Sequence, residues 1–470
     1  MAEHLTTLDA GFLQLEDADH HVSLAIGGVA VLAGPVPDFD ELLETIGARC
    51  LSNPRSTQVL RTHPLDLTAP EWVEDPDFDL TRHVRRAALP PPGDDDALYA
   101  EIATIMERRL DRERPLWECW VIEGLAQNRW ALLIKVHHAL ADGISASNLL
   151  TGLCDDSDVA SFASSIGAAR RKASRPSLPV PSLNPVDWIN DSVRLTRSVG
   201  KVALRAAGGA AGLTASLLRP AARSSFNGPI GDLRRYSSTA VSMHDVEEIA
   251  HAFGVTLNDV ALAAVADSYR TALLRRGQQP RADSLRTLVP VSVRAADAMD
   301  VSDNRVSLML PLLPVDIADP LQRLRTVHAR MRVAKSSGQR QAGSLLVWAA
   351  NLLPFPVTAW TVRLLSRLPQ RSVVTVVTNV PGPRTPVTVM GQKVVRLLPI
   401  PPIAAGFRTG IAIFSYADVL AFGLLVDFDT ASDIDELAGG IERGIDRLAR
   451  LAKPTGRSRR KGSLRLLSNG

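Results

Sequence analysis

Apolar residues recur along this chain at two spacings, and the alternation of the two predicts alternating strands and helices. Residues 22–32 are rich in Val, Leu and Ala and close at Gly34-Pro35, which predicts a strand and a turn. Residues 40–50 repeat Leu42, Leu43, Ile46 and Ala48 and predict a helix. Residues 98–110 predict another, with Ile102, Ile105, Met106 and Leu110 on one face. Two apolar runs, 117–123 and 130–136, are separated by Gly124 and Asn128 and predict a hairpin. Further on, Ser242 and Asp245 open a short helix that stops at Gly254, and 256–276 predicts a longer one ending at Gly277. Residues 285–293, 306–313, 372–380, 410–416 and 420–427 predict strands, several apolar throughout and so expected to be buried on both faces. A helix at 434–451 follows.

This order predicts a mixed α/β (α+β) protein of two comparable halves, 1–168 and 236–453. Between them, 169–235 reads as a linker. Its stretch 169–223 sets ten basic residues against Asp187 and Asp191. A Pro-rich run at 176–181 predicts extended chain. Arg194, Arg197, Lys201 and Arg205 then recur every three or four residues and predict a basic stripe on an amphipathic helix. That stripe suits an anionic lipid surface, or equally a solvated face between domains. The tail 454–470 carries Arg457, Arg459, Arg460, Lys461 and Arg465 without an acid and is expected to be disordered.

Composition removes several function classes. With 470 residues, 46% hydrophobic and 22% charged, the chain is neither an intrinsically disordered nor a fibrous protein. Its 53 Lys and Arg against 50 Asp and Glu leave a net charge of +3, too little to attract nucleic acid by bulk field. Cys50, Cys119 and Cys154 form no C-x-x-C pair, which argues against a disulfide framework or a cysteine zinc finger and fits a reducing compartment. The opening residues have neither the basic nor the apolar region of a secretory signal. The uncharged stretch 341–362 contains Pro354 and Pro356, so two short buried or membrane-grazing helices are expected there rather than a span. Together these features predict a cytoplasmic protein, soluble or peripheral.

Candidate chemistry narrows to one segment. The chain has no G-x-S-x-G, Walker lysine loop, H-E-x-x-H or G-x-G-x-x-G. What remains is Lys135-Val136-His137-His138-Ala139-Leu140-Ala141-Asp142-Gly143, at the end of an apolar strand. Neighbouring strand residues face opposite ways, so His137 and His138 are expected to split their roles, one entering a cavity and one packing into the domain. Asp142-Gly143 is turn chemistry that can brace the loop. An imidazole held in this way can take a proton from a hydroxyl near neutral pH. Spacing alone leaves three readings open: acid–base catalysis, a structural role, or a metal site with Asp142 as third ligand. The metal reading needs both histidines on one side, which alternation opposes. Elsewhere, Thr256 and Asp259 have the spacing of a capping box that opens a helix.

The pattern HHxxxDG, filled by His137-His138-Ala-Leu-Ala-Asp142-Gly143, resembles the signature of the CoA-dependent acyltransferase superfamily. Other segments resemble one branch of it, the bacterial wax ester synthase/diacylglycerol acyltransferase family. Pro115-Leu116-Trp117 is similar to its PLW motif and Asn258-Asp259-Val260-Ala261-Leu262-Ala263 to its ND motif. Leu8-Asp9-Ala10-Gly11-Phe12-Leu13, Asn227-Gly228-Pro229-Ile230-Gly231, Pro290-Val291-Ser292-Val293-Arg294 and Asn379-Val380-Pro381-Gly382-Pro383 fall where that family has similar segments. The likeness runs from residue 5 to 451.

The resemblance implies two chloramphenicol-acetyltransferase-like halves with a substrate tunnel between them and one active site per chain. It implies acyl transfer from a long-chain acyl-CoA, as co-substrate, to diacylglycerol, giving triacylglycerol. The alternatives are transfer to a long-chain fatty alcohol, giving a wax ester, or a non-catalytic lipid-binding protein of the same fold. No metal or redox cofactor and no nucleic acid are implied, and peripheral contact with the inner face of the cell membrane or a lipid droplet is expected. His138 becomes the general base, with His137, Asp142 and Gly143 supporting it. The motif aspartate is structural in the superfamily and pairs with an arginine, for which Arg55 is the candidate; Thr57 stands where the family often has a second arginine. Pro115, Leu116 and Trp117 either pack the strand beside the histidines or serve substrate. Asn258 either contacts substrate or braces the halves. Thr378 and Asn379, at a strand end expected to face the cleft, are candidates for oxyanion donors.

Overall fold

The computed structural model describes residues 3–5, 7–51, 54–63, 68–140, 152–155, 221–222, 224–292, 306–336, 355, 372–403 and 406–453. The first half contains strands β1 (Glu3–His4), β2 (Ala25–Ala33), β3 (Gln58–Arg61), β4 (Glu71–Glu74), β5 (Val84–Ala88), β6 (Trp117–Leu125) and β7 (Arg129–His137), and helices α1 (Thr7–Ala18), α2 (Phe39–Cys50) and α3 (Asp95–Glu107). The second contains β8 (Arg234–Ser242), α4 (Met243–Phe253), α5 (Leu257–Arg275), β9 (Thr287–Ser292), β10 (Val306–Met309), α6 (Pro320–Ser336), β11 (Thr375–Val380), β12 (Thr388–Val389), β13 (Gln392–Ile400), β14 (Thr409–Tyr416), β15 (Val419–Asp427) and α7 (Ile434–Ala452).

The 117–137 hairpin sits at the heart of the first sheet, whose order is β12-β13-β2-β7-β6-β5. Trp117 pairs with Val136, and Gln127 and Asn128 turn the chain at φ 63° and 51°. Alternation along β7 divides two cores. Ala131 and Leu133 meet Leu98, Ile102, Ile105 and Met106 of α3. Trp130, Leu132, Ile134 and Val136 meet Leu42 and Ile46 of α2 on the other face. Each such Leu or Ile contributes roughly 1.5–3 kcal/mol when fully buried. Lys135 and His137 continue the α3 face by parity.

The second sheet has the order β10-β9-β11-β14-β15-β8, with β11 parallel to both β9 and β14. Its helices approach closely: a Cβ on Gly444 of α7 would lie 3.1 Å from the Cα of Ala264 in α5. Ser242 caps α4 by accepting the Asp245 amide, and α4 stops at Gly254 with φ 64°. The capping box of Thr256 and Asp259 opens α5 with both of its hydrogen bonds formed. No single helix among the described residues is long and apolar enough to cross a membrane.

Strand β13 is the unexpected element. It lies late in the chain yet pairs antiparallel with β2 of the first sheet, Ile400 opposite Gly27. The seam around it joins polar contacts to an apolar interior. Tyr236 Oη donates to Pro399 O at 3.0 Å, Tyr99 Oη meets Ser238 Oγ at 2.6 Å, and Arg396 grips both Asp95 carboxylate oxygens at 2.7 Å. Inside, Ile230, Tyr236, Leu398, Ile400 and Leu425 join the α3 core.

Two expected elements shift for local reasons. The helix read at 98–110 begins at Asp95, because Asp94 accepts the Ala97 amide, and it ends at Glu107, where Arg108 turns extended. The strand read at 306–313 stops at Met309, where Pro311 and Pro314 cannot donate to a ladder. Of the stretch 341–362 only Phe355 is described, and the tail 454–470 and most of the 169–235 linker also lie outside the described residues.

Candidate active site

The sequence of α1 places Phe12 and Glu16 four residues apart, hence on one face. That face meets the end of β7. Glu16 is only 2% exposed. Its Oε1 accepts the Leu24 amide at 2.7 Å and lies 3.2 Å from His137 Nε2. Its Oε2 accepts from Arg112 Nη2 at 2.9 Å. Burial alone raises this carboxyl, but the His137 ring, the Leu24 amide and Arg112 outweigh it and hold it down at about 2.

His137 is buried, with Nδ1 hydrogen-bonded and Nε2 set against Glu16. The Ala139 amide donates to Nδ1 at 3.0 Å, which leaves the Nε2 proton facing Glu16. Nε2 lies close to Glu16 Oε1 but off the line of a straight hydrogen bond. His137 N–H donates to Leu116 O at 3.0 Å.

His138 is placed differently. Its ring is half-buried and lies 4.3 Å from that of Phe12, tilted by 42°. Its backbone N–H donates to Leu24 O at 3.0 Å. Leu24 is therefore held at both ends, its amide by Glu16 and its carbonyl by His138. One buried carboxylate thus steadies the ring of the first histidine directly and the backbone of the second through a single residue.

The segment before β6 completes this frame. Arg109 Nε donates to Val22 O at 2.8 Å, and Arg112 also binds Asp17 at 2.6 Å and Leu13 O at 3.1 Å. Leu116 and Trp117 are buried. Trp117 Nε1 donates to Ser56 O at 2.9 Å, and its ring stacks on His83 at 4.7 Å. Burial lowers the His83 pKa, opposed by its bond to Trp117 O. Leu116 and Trp117 pack beside the strand here, and Leu116 O adds an anchor for the motif.

Arg55 lies in a 3-10 turn at Pro54–Ser56, donates to Gln58 Oε1 at 2.7 Å and sits 4.6 Å above the Trp72 ring. Its expected partner Asp142, like Gly143, lies outside the described residues. Thr378 and Asn379 fall near the end of β11. There Asn379 Nδ2 donates to Asn258 Oδ1 at 3.3 Å, so the ND motif and this strand end meet. Val380 and Phe414 beside them pack on the core that holds Trp117 and Val136. Asp259 does more than cap: its Oδ2 also takes His328 Nδ1 at 2.8 Å. Among the described residues only Asp19, His20 and His21 bring metal-ligating atoms within 4.8 Å of one another.

Sequence reasoning missed Glu16, Phe12 and Arg112 as parts of the site. The spacing of Phe12 and Glu16 was a signal for a shared helix face. Their meeting with His137 and His138 is a tertiary fact, because β2 and β7 must first pair.

The chain matches two family models. Residues 5–261 match the wax ester synthase/diacylglycerol acyltransferase catalytic domain, and residues 302–449 match the C-terminal domain of the same group. A probable diacylglycerol O-acyltransferase of Mycobacterium tuberculosis is 55% identical over 467 residues, covering 99% of each chain. A putative diacylglycerol O-acyltransferase of the same organism is 44% identical over 467 residues, 98% of this chain and 95% of the relative. Among solved structures, a wax ester synthase/diacylglycerol acyltransferase from Marinobacter aquaeolei VT8 superposes with a TM-score of 0.66 at 24% identity, covering 96% of this chain and all of that one. A starter condensation domain of rhizomide synthetase, solved with C8-CoA, shares the fold at a TM-score of 0.56 and 13% identity, covering 96% and 95%.

Proposed function

This chain belongs to the wax ester synthase/diacylglycerol acyltransferase family and is an acyltransferase; from that premise we propose that it moves a long acyl chain from acyl-CoA to 1,2-diacylglycerol, with His138 as general base. The observation that carries the base assignment is the split between the two histidines. His137 is buried, its Nδ1 taking the Ala139 amide and its Nε2 set 3.2 Å from Glu16, whereas His138 is half-buried against Phe12.

The chemistry is direct transfer. The acceptor hydroxyl oxygen attacks the thioester carbonyl carbon as His138 takes its proton. The tetrahedral intermediate collapses, the carbon–sulfur bond breaks, and the imidazolium returns the proton to the CoA sulfur. The products are triacylglycerol and free CoA, with no acyl-enzyme. Much of the acceleration then comes from holding two substrates together. Thr378 and Asn379 are proposed as donors to the oxyanion, with Asn258 bracing Asn379. Asp142 is proposed to pair with Arg55 and steady the motif's turn, and a tunnel between halves 1–168 and 236–453 to admit both substrates. The basic stripe at 194–205 supports a peripheral place on a membrane or lipid droplet.

Diacylglycerol is favoured over a fatty alcohol as acceptor because the relatives alike over nearly their whole length carry that activity in their names. The test is purified protein given one labelled acyl-CoA and a panel of diacylglycerols, fatty alcohols and water. Labelled triacylglycerol with stoichiometric free CoA is expected. Wax ester as the dominant product would reverse the acceptor assignment, and label appearing only as free acid would overturn transfer to an alcohol.

A further inference from the structure

We propose that Lys135, which the chemistry above does not use, is a positioning residue: it anchors the segment 108–117, which in turn grips both Glu16 and the strand carrying the histidine pair. The inference rests on the reading of His138 as the reacting base.

Lys135 is completely buried on the α3 face of β7, two residues before His137. Its Nζ donates to Ile105 O at 2.7 Å and to Arg108 O. These carbonyls belong to the last turn of α3 and to the residue that ends it, where a helix gathers negative charge and unpaired acceptors. The chain leaves that anchor and enters the clamp at once. Arg109 binds Val22 O and Glu16 O, Arg112 binds the Glu16 carboxylate, and Leu116 O receives His137 N–H. The position of Arg108 is therefore passed on to Glu16 and to both histidines. An apolar side chain of equal length at 135 would fill the space and leave two buried carbonyls without their donor.

The surrounding charges are mixed. Burial pushes the Lys135 amine down to about 8. Glu118, opposite it in register on β6, and Glu16 on α1 favour the ammonium, whereas Arg85 on β5 and Arg108 oppose it. A charged amine makes the stronger hydrogen bonds, so the anchor slackens as the pH passes that value.

The test compares Lys135→Met and Lys135→Arg with the wild-type chain, well below their melting temperatures. Lys135→Met is expected to lower kcat by about tenfold to a hundredfold, with KM for acyl-CoA within about twofold, and Lys135→Arg to recover most of the loss. A lowered melting temperature with kcat within about twofold of wild type would overturn the proposal, because that is what packing alone predicts. If Lys135→Met fails to fold, Lys135→Gln, which keeps a donor but shortens the reach, decides: lowered kcat with displaced histidine-selective 15N signals of His137 is expected, and kcat and signals as in wild type would overturn the anchor. His138→Ala separates the two ideas. If it retains turnover, the reading of the site fails; if it loses turnover while Lys135→Met keeps it, only the role of Lys135 fails.

Discussion

The two halves share a six-stranded sheet flanked by helices, yet they bury charge in different places. In the second half, Asp267 of α5 holds Arg323 of α6 at 2.6 Å and also Arg447 of α7. That group lies between helices, far along α5 from Asn258. In the first half, Glu16 joins Arg112 and His137 at the end of a strand. The same ingredients serve two ends. Between helices, a buried ion group fixes how elements pack. At a strand end it orients the ring of His137 and, through Leu24, the backbone of His138.

Substitutions can break the comparison. The largest effect on stability is expected from Asp267→Asn, which leaves the nearly buried Arg323 without its carboxylate. A loss of about 3–5 kcal/mol is expected, read from urea midpoints, with turnover per folded molecule within about twofold of wild type. A specific loss of turnover would mean that the second half also spends its buried charge on the reaction.

Glu16→Gln should show the reverse. It keeps the shape and removes the charge, so turnover is expected to fall by about thirtyfold to a hundredfold, with a smaller stability loss of about 1–3 kcal/mol. The pH dependence follows from the same carboxyl. Its folded-state pKa is held near 2, below the ordinary 4.5, so its contribution is full above pH 4.5 and disappears as pH falls towards 2. At about 1.4 kcal/mol per unit this amounts to about 3 kcal/mol. Denaturation midpoints between pH 4.5 and 2 should therefore fall more steeply in wild type than in Glu16→Gln.

The smallest effect is expected at the proposed oxyanion donor in the second half. Asn379→Ala removes one neutral amide from a partly exposed pair and should lower kcat by about fivefold to tenfold, with stability almost unchanged. A thousandfold loss would make this amide, rather than the imidazole, the dominant catalytic group.

Legibility of the molecule in its sequence followed the range of the forces involved. The 117–137 hairpin was readable because alternation and turn residues are local, and so were the caps at Ser242 and Thr256. Helix α6 also carried a local signal, Asp319-Pro320 followed by Leu321, Leu324, Val327 and Met331 at helical spacing, though it was not among the expected elements. Strand β13 was not readable, because nothing near residues 392–400 says that their partner is β2. Glu16 was hidden for a related reason. In sequence it is one acid among Asp17 and Asp19, and only the pairing of β2 with β7 brings it to His137. His138 stood out because two adjacent histidines end an apolar strand and an Asp-Gly turn follows; that both rings meet one face of α1, at Glu16 and Phe12, was not readable, because it depends on how α1 packs on the end of β7.

The proposed chemistry turns on the division of labour between those two rings. Its most direct test is steady-state turnover of His138→Ala with acyl-CoA and diacylglycerol, beside its melting temperature. A fall of about a thousandfold or more at a melting temperature within about 2 °C of wild type is the predicted result. Turnover within about threefold of wild type would contradict it.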